Sequence, residues 1–178
     1  YYKKASHLHS DDSKLYYKIA CTYINELSFS KAVQYLESAM RIHRMQPEYN
    51  LAMGECLLEL GNIKDAIIHF SNVVKAKPRG IAGWEALIRC LYKEDFLTEA
   101  IEQVNNARQI AGDKPLFLFY QSAVLFAMGK SKEALLVLQC AMERAPRLLK
   151  KFIELNPTIL QNQQVVDLIA YYKRKRSI

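Results

Sequence analysis

Few side chains in this sequence have the type and spacing that chemistry needs. The histidines are His7, His9, His43 and His69. His7 and His9 stand two apart, which sends their side chains to different faces of a helix, so all four read as surface residues rather than metal ligands. The cysteines, Cys21, Cys56, Cys90 and Cys140, form no CxxC or similar pair. Cys56 and Cys90 instead read as small core fillers, a common role for an unpaired thiol. Asp11 and Asp12 suit the capping of a following helix better than acid-base work. There is no Gly-rich phosphate loop, GxSxG elbow or HExxH pair. The expectation is a non-enzymatic chain with no cofactor and no metal.

Charge is the next feature that suggests a partner. The net charge is +7, with 25 basic and 18 acidic residues among 178. Residues 147–178 hold seven of the basic groups (Arg147, Lys150, Lys151, Lys173, Arg174, Lys175, Arg176) against only Glu154 and Asp167. The rest of the chain is nearly balanced and offers no long basic stripe, so nucleic acid is not the expected partner. The terminal Lys173-Arg174-Lys175-Arg176 cluster reads first as a solvated helix end; contact with an anionic surface is the alternative. No apolar run approaches the roughly 18 residues of a membrane span, and unpaired thiols favour a reducing compartment. The expected setting is therefore cytoplasmic, with tethering or export of a longer parent left open.

The elements that must position these residues follow a fixed beat. Ala32, Ala66, Ala100 and Ala134 recur every 34 residues, followed in register by Leu36, Phe70, Val104 and Leu138, and then by Ala39, Val73, Ala107 and Ala141. Earlier in each unit come a large column (Tyr16, Asn50, Trp84, Leu118), a mostly small one (Ala20, Gly54, Ile88, Ser122) and an apolar one (Tyr23, Leu57, Leu91, Leu125). Two antiparallel helices approach closely only where small side chains face each other, with bulky ones interlocking around them. Pro78, Pro146 and Gly112 close units, by removing a donor or by permitting left-handed geometry. Asn50 and Gln121 depart from the pattern, and Ile88 in the small column is matched by the smaller Val104.

With Met53-Gly54, Leu57, the turn Gly61-Asn62, Ala66, Phe70 and Pro78 in place, the chain resembles the tetratricopeptide repeat family across residues 13–148. The resemblance implies an all-α, right-handed superhelical array of helix pairs in four units, 13–46, 47–80, 81–114 and 115–148. Residues 1–12 continue the beat backwards, since Tyr2, Ala5 and Leu8 lie 34 before Leu36, Ala39 and Ile42. They are expected to be the last helix of a truncated preceding repeat, which makes the chain a fragment of a longer protein. Residues 149–178 are expected to cap the exposed apolar end of the stack and to carry the basic tail. Thr158 is the expected N-cap of the last helix, with Phe152, Leu160, Val166 and Ile169 sealing the core. This closing segment is similar to that of some bacterial repeat proteins of the family.

The resemblance also implies where function resides, on the inner surface formed by the first helix of each unit. In the first unit that surface comprises Lys14, Tyr17, Cys21 and Ile24 with Asn25; in the second, Glu48, Leu51, Glu55 and Leu58 with Glu59. In the third it comprises Ala82, Glu85, Arg89 and Tyr92 with Lys93; in the fourth, Leu116, Phe119, Ala123 and Phe126 with Ala127. Burial of Phe119, Tyr120 and Phe126 by the C-terminal cap or by a neighbouring copy is the alternative for that last cluster. A segment with basic residues at one end and bulky apolar ones at the other would match. The subfamily that clamps a chaperone's terminal carboxylate is not matched, because Tyr17, Cys21, Ala52, Ala82 and Ala86 occupy its clamp positions. The function expected is a scaffold binding a protein or peptide partner. Self-association as a homodimer and anionic contact through the tail are the alternatives.

Overall fold

The computed structural model describes the backbone of residues 2–176 and the side chains of residues 12–175. Every regular element among them is helical: α1 (Tyr2–Asn25), α2 (Phe29–Ile42), α3 (Pro47–Glu59), α4 (Ile63–Ala76), α5 (Ile81–Lys93), α6 (Leu97–Ile110), α7 (Pro115–Ala127) and α8 (Ser131–Arg144). A 3₁₀ turn at Pro146–Leu148 leads into α9 (Leu149–Leu155), and a second at Pro157–Gln161 precedes α10 (Gln163–Arg176). The starts of α2, α4, α6 and α8 are 34 residues apart, as are those of α3, α5 and α7. Packing divides the chain into two compact units, residues 1–90 and 91–178, with the division inside α5.

The beat is written into the turns as well as the helices. Leu27, Gly61, Asp95 and Gly129 occupy the same place in each unit, and all four have positive φ, at 56°, 78°, 61° and 76°. At each of them one amide reaches back three residues and the next reaches back five, as in Gly61 N to Leu58 O (3.1 Å) and Asn62 N to Leu57 O (2.8 Å). This is the Schellman arrangement, which satisfies carbonyls left open at a helix end and requires left-handed backbone at its pivot. Two of the four pivots are glycine; Leu27 adopts the conformation against the preference of its side chain, and Asp95 is of a type that tolerates it better.

In the first unit α1 packs on α2, and α3 packs on both α2 and α4. Ala20, Ala32, Leu36, Ala39 and Ala66 have no exposed surface. Gly54 lies so close to the Phe70 ring that an added Cβ would stand 2.5 Å from Cε1 and 2.7 Å from Cδ1. The glycine is therefore required by the phenyl ring that faces it, not by its backbone.

Asn50, which looked out of place in the large column, is 2% exposed and fully bonded. Its Nδ2 donates to Arg44 O and Gln46 O, both at 3.0 Å, and its Oδ1 accepts from His69 Nδ1 at 2.9 Å. Trp84, one unit later in the same column, donates from Nε1 to Pro78 O at 2.8 Å. Each side chain thus bonds the carbonyl six residues before it, so Asn50 and Trp84 tie down the same turn with different donors.

In the second unit α7 packs against α6, α8 and α9. Being covered on several sides, it is apolar almost all round: Phe117, Phe119, Tyr120, Ala123 and Val124 have no exposed surface. Ser122 in the small column donates from Oγ to Ala134 O at 2.8 Å across the α7–α8 contact. Gln121, the other departure from the pattern, accepts from Arg108 Nη1 at 2.7 Å. Arg108 Nε also meets Asp113 Oδ1 at 2.8 Å, and Arg144 Nη1 meets Asp113 Oδ2 at 2.6 Å. These two guanidinium contacts hold the Asp113 carboxyl below its usual pKa.

At the C-terminal end Phe152, Leu155, Ile159, Val165, Ile169 and Tyr172 are buried. Two of the expected sealing residues change place with a neighbour: Leu160 is 45% and Val166 36% exposed, while Ile159 and Val165 turn inward. The segment is not one helix: a 3₁₀ turn over Pro157–Gln161 precedes a separate α10. Asn162, not Thr158, caps it, its Oδ1 accepting from Gln164 N at 3.0 Å. Starting there puts Val165, Ile169 and Tyr172 on one face, and Tyr172 OH donates to Glu143 Oε1 on α8 at 2.8 Å.

At the other end the backbone is helical without a break from Tyr2 to Asn25. The boundary expected at residues 12 and 13 therefore carries no turn of the kind that separates helices elsewhere in the chain. Side-chain packing of Tyr2, Ala5 and Leu8 lies outside the described residues.

Candidate functional site

The inner-surface positions of the first unit come from α1, α3 and α5. Tyr17 is half-buried, and its ring centroid lies 4.8 Å from that of Tyr49 at 32°. Tyr49 is anchored by Ser13, whose Oγ donates to its hydroxyl at 2.8 Å. Tyr49 sits outside the expected inner columns, and only the fold brings it under Tyr17. Burial, the neighbouring Cys21 and the carboxylates Glu48 and Glu55 push the Tyr17 hydroxyl up to about 12. Burial first, then Glu55, Cys21 and Glu59, push the Cys56 thiol up to about 11. In both shifts burial leads, and the carboxylates of α3 add a negative field to it.

The carboxylates that make this field are in different states. Glu48, in the first turn of α3, is lowered by a 2.6 Å contact from Lys77 Nζ and by its own backbone N–H. Both members of that pair are more than half exposed, so it contributes at most about 1 kcal/mol. Glu55 and Glu59 stand one turn apart, with no Lys or Arg within 4 Å. Partial desolvation raises the Glu55 pKa, Arg89 opposes that rise, and Glu59 adds to it. Leu51 is half-buried beside them, Glu85 is half-buried, and Asn25 and Arg89 are exposed. The first unit therefore presents an apolar and aromatic strip, Tyr17 and Leu51, next to an acidic pair able to accept a cationic group.

The second unit treats the same positions differently. Phe119 has no exposed surface: its ring centroid lies 6.1 Å from that of Phe152 on α9, and Phe126 lies 6.4 Å from the same ring. Leu116 and Ala123 are buried as well. Phe119 is thus withdrawn from the expected partner surface, because the chain's own α9 covers it, and Phe126 keeps only part of its surface. Tyr92 is half-buried with its hydroxyl pKa raised by burial, and Lys93 is exposed. The signal for α9 was present in the sequence as a helix, α7, with no polar face and hence in need of a cover on every side.

A tetratricopeptide repeat family model matches residues 13–43, which span the second half of α1 and all of α2. Residues 13–43 thus match a tetratricopeptide repeat, and the same helix pair recurs along the chain at 34-residue intervals. Human anaphase-promoting complex subunit 7 is 24% identical over 143 residues, covering 80% of this chain and 25% of that protein, and the mouse protein matches to the same extent. The chain thus spans about a quarter of the length of these curated relatives. Among solved structures, MamA 41-end from Desulfovibrio magneticus RS-1 superimposes with a TM-score of 0.69 at 20% identity, covering 93% of each chain. YrrB, described as a TPR protein with an unusual peptide-binding site, gives 0.59 at 20% identity over 97% of this chain and 80% of its own. At such identities these structures establish the fold of the tetratricopeptide array, and the site rests on its own geometry.

Among the described residues no three His, Cys, Asp or Glu side chains converge on a point that could hold a metal ion. No described helix is long and apolar enough to cross a membrane.

Proposed function

We propose that this chain is a non-catalytic scaffold that binds a protein segment on the inner surface of its first unit. Tyr17 and Leu51 take an apolar side chain, and Glu55 with Glu59 takes a lysine or arginine of the same segment. The observation that carries the reading is the state of Glu55 and Glu59. They are two exposed like charges one turn apart with no basic side chain within 4 Å. A cation brought between them relieves the repulsion, and its attraction to both carboxylates offsets the cost of desolvating them. Membership of a multi-protein complex by anaphase-promoting complex subunit 7 and peptide binding by YrrB, both named in their descriptions, agree with a scaffold role.

The reading is tested by selecting a random peptide library on the purified chain. Enriched peptides are expected to carry Lys or Arg beside an aliphatic or aromatic residue and to lose at least tenfold in affinity for Glu55→Lys with Glu59→Lys. Enrichment of peptides without a basic residue, or undiminished binding by the folded double variant, would remove this reading.

A further inference from the structure

On the other side of α3 lies a second surface that the inner-face reading does not use. Met53 and Leu57 stand two residues from Leu51, Glu55 and Glu59, and therefore point to the opposite side of the helix. They floor a groove of about 850 Å³ between α2 and α4, walled by Val33, Met40 and Ile68. Ile68 is 56% exposed, an apolar side chain held at the rim rather than packed away.

The rim is polarised. Arg41 lies in the last turn of α2 and Arg44 in the turn just beyond it, while Asp65 lies in the first turn of α4 and Glu37 between Val33 and Arg41 on α2. Glu37 and Arg41 are four apart, the spacing at which a helix pairs opposite charges within itself, yet no ion pair forms. Arg44 has no carboxylate within 4 Å, and Asp65 accepts only from Asn62 Nδ2 at 2.7 Å. His69 sits toward the basic end, its Nδ1 donating to Asn50, so its other ring nitrogen is an acceptor in the neutral ring.

We infer that the α2–α4 groove docks an amphipathic helix of a partner protein, with an acidic residue at one end of its apolar stripe and a basic residue at the other. Val33 and Met40 are seven apart and Met53 and Leu57 four apart, so the groove repeats at the pitch with which a helix offers i, i+4 and i+7 side chains. The acidic end of that helix lies against Arg41 and Arg44, and its basic end against Glu37 and Asp65. Charge of this arrangement at a rim contributes selectivity more than affinity.

The test uses three fluorescein-labelled, alanine-based helical peptides with leucines at i, i+4 and i+7. One has Glu at its N-terminal end and Lys at its C-terminal end, the second has Lys at both ends and the third Glu at both. Fluorescence anisotropy is expected to show the mixed peptide binding most tightly, by roughly threefold for each mismatched end it avoids. Arg41→Glu with Arg44→Glu, both exposed positions, is expected to transfer the preference to the all-Lys peptide. Ile68→Glu is expected to weaken all three by about tenfold, the loss of one apolar contact. Glu55→Lys with Glu59→Lys is expected to change none of them, which separates this groove from the inner surface. Equal binding of the three peptides, or a preference that survives the arginine reversal in a variant of unchanged helicity, overturns the inference.

Discussion

The four left-handed pivots make a stability experiment whose sign can be worked out in advance. Leu27 holds φ at 56° and is 74% exposed, so replacing it by glycine removes almost no buried surface. A left-handed residue other than glycine costs about 1–2 kcal/mol. Against this stands the greater freedom glycine regains on unfolding, about 0.5–1 kcal/mol. Leu27→Gly is therefore expected to stabilise by about 0.5–1 kcal/mol, a rise in Tm of roughly 1–4 °C for a chain of this size. The reverse change is equally clean. An added Cβ at Gly61 or Gly129 meets nothing within 4 Å, so Gly61→Ala and Gly129→Ala suffer only the backbone penalty and are expected to destabilise by about 1 kcal/mol. Asp95→Gly should gain less than Leu27→Gly, because the short polar side chain of aspartate tolerates this region better. Thermal and urea melts followed by circular dichroism at 222 nm measure all four variants. A lower Tm for Leu27→Gly together with a higher one for Gly61→Ala would refute the assignment of strain to these pivots.

Three further outcomes follow from the packing. Gly54→Ala should destabilise by about 1–3 kcal/mol, because its Cβ overlaps the buried Phe70 ring, and pairing it with Phe70→Leu should recover part of the loss in the same melts. Phe152→Ala should cost about 3–5 kcal/mol and uncover Phe119 and Phe126, read as increased binding of a dye specific for apolar surface; an unchanged signal would mean that α9 does not cover them. The His69 pKa is lowered from 6.5, chiefly by burial, so the native state binds fewer protons than the unfolded one. Its contribution to stability is complete above about pH 6.5 and is lost as pH falls through the lower folded value; the difference between wild type and His69→Gln should shrink over that interval, and a difference that grows as pH falls would contradict the sign.

The sequence by itself determined the repeat length, the helix pairs and the turns between them. These depend on neighbours three, four or five residues away, and the columns led by Ala32, Ala66, Ala100 and Ala134 record those local relations directly. Tertiary structure alone decided what each exposed or covered position became. Asn50 and Gln121 read as defects because their partners, Arg44, His69 and Arg108, come from neighbouring elements that no local period reports. Phe119 read as a binding residue because the side chain that covers it, Phe152, arrives from beyond the last repeat. Ile159 and Val165 lie inside in place of Leu160 and Val166 because a 3₁₀ turn at Pro157–Gln161 and a new start capped by Asn162 break the expected continuous helix, and the side chain next to a buried one on a helix points about 100° away from it. Periodicity fixes which residues share a face; only the packed chain determines which faces are already covered, and hence which remain for a partner.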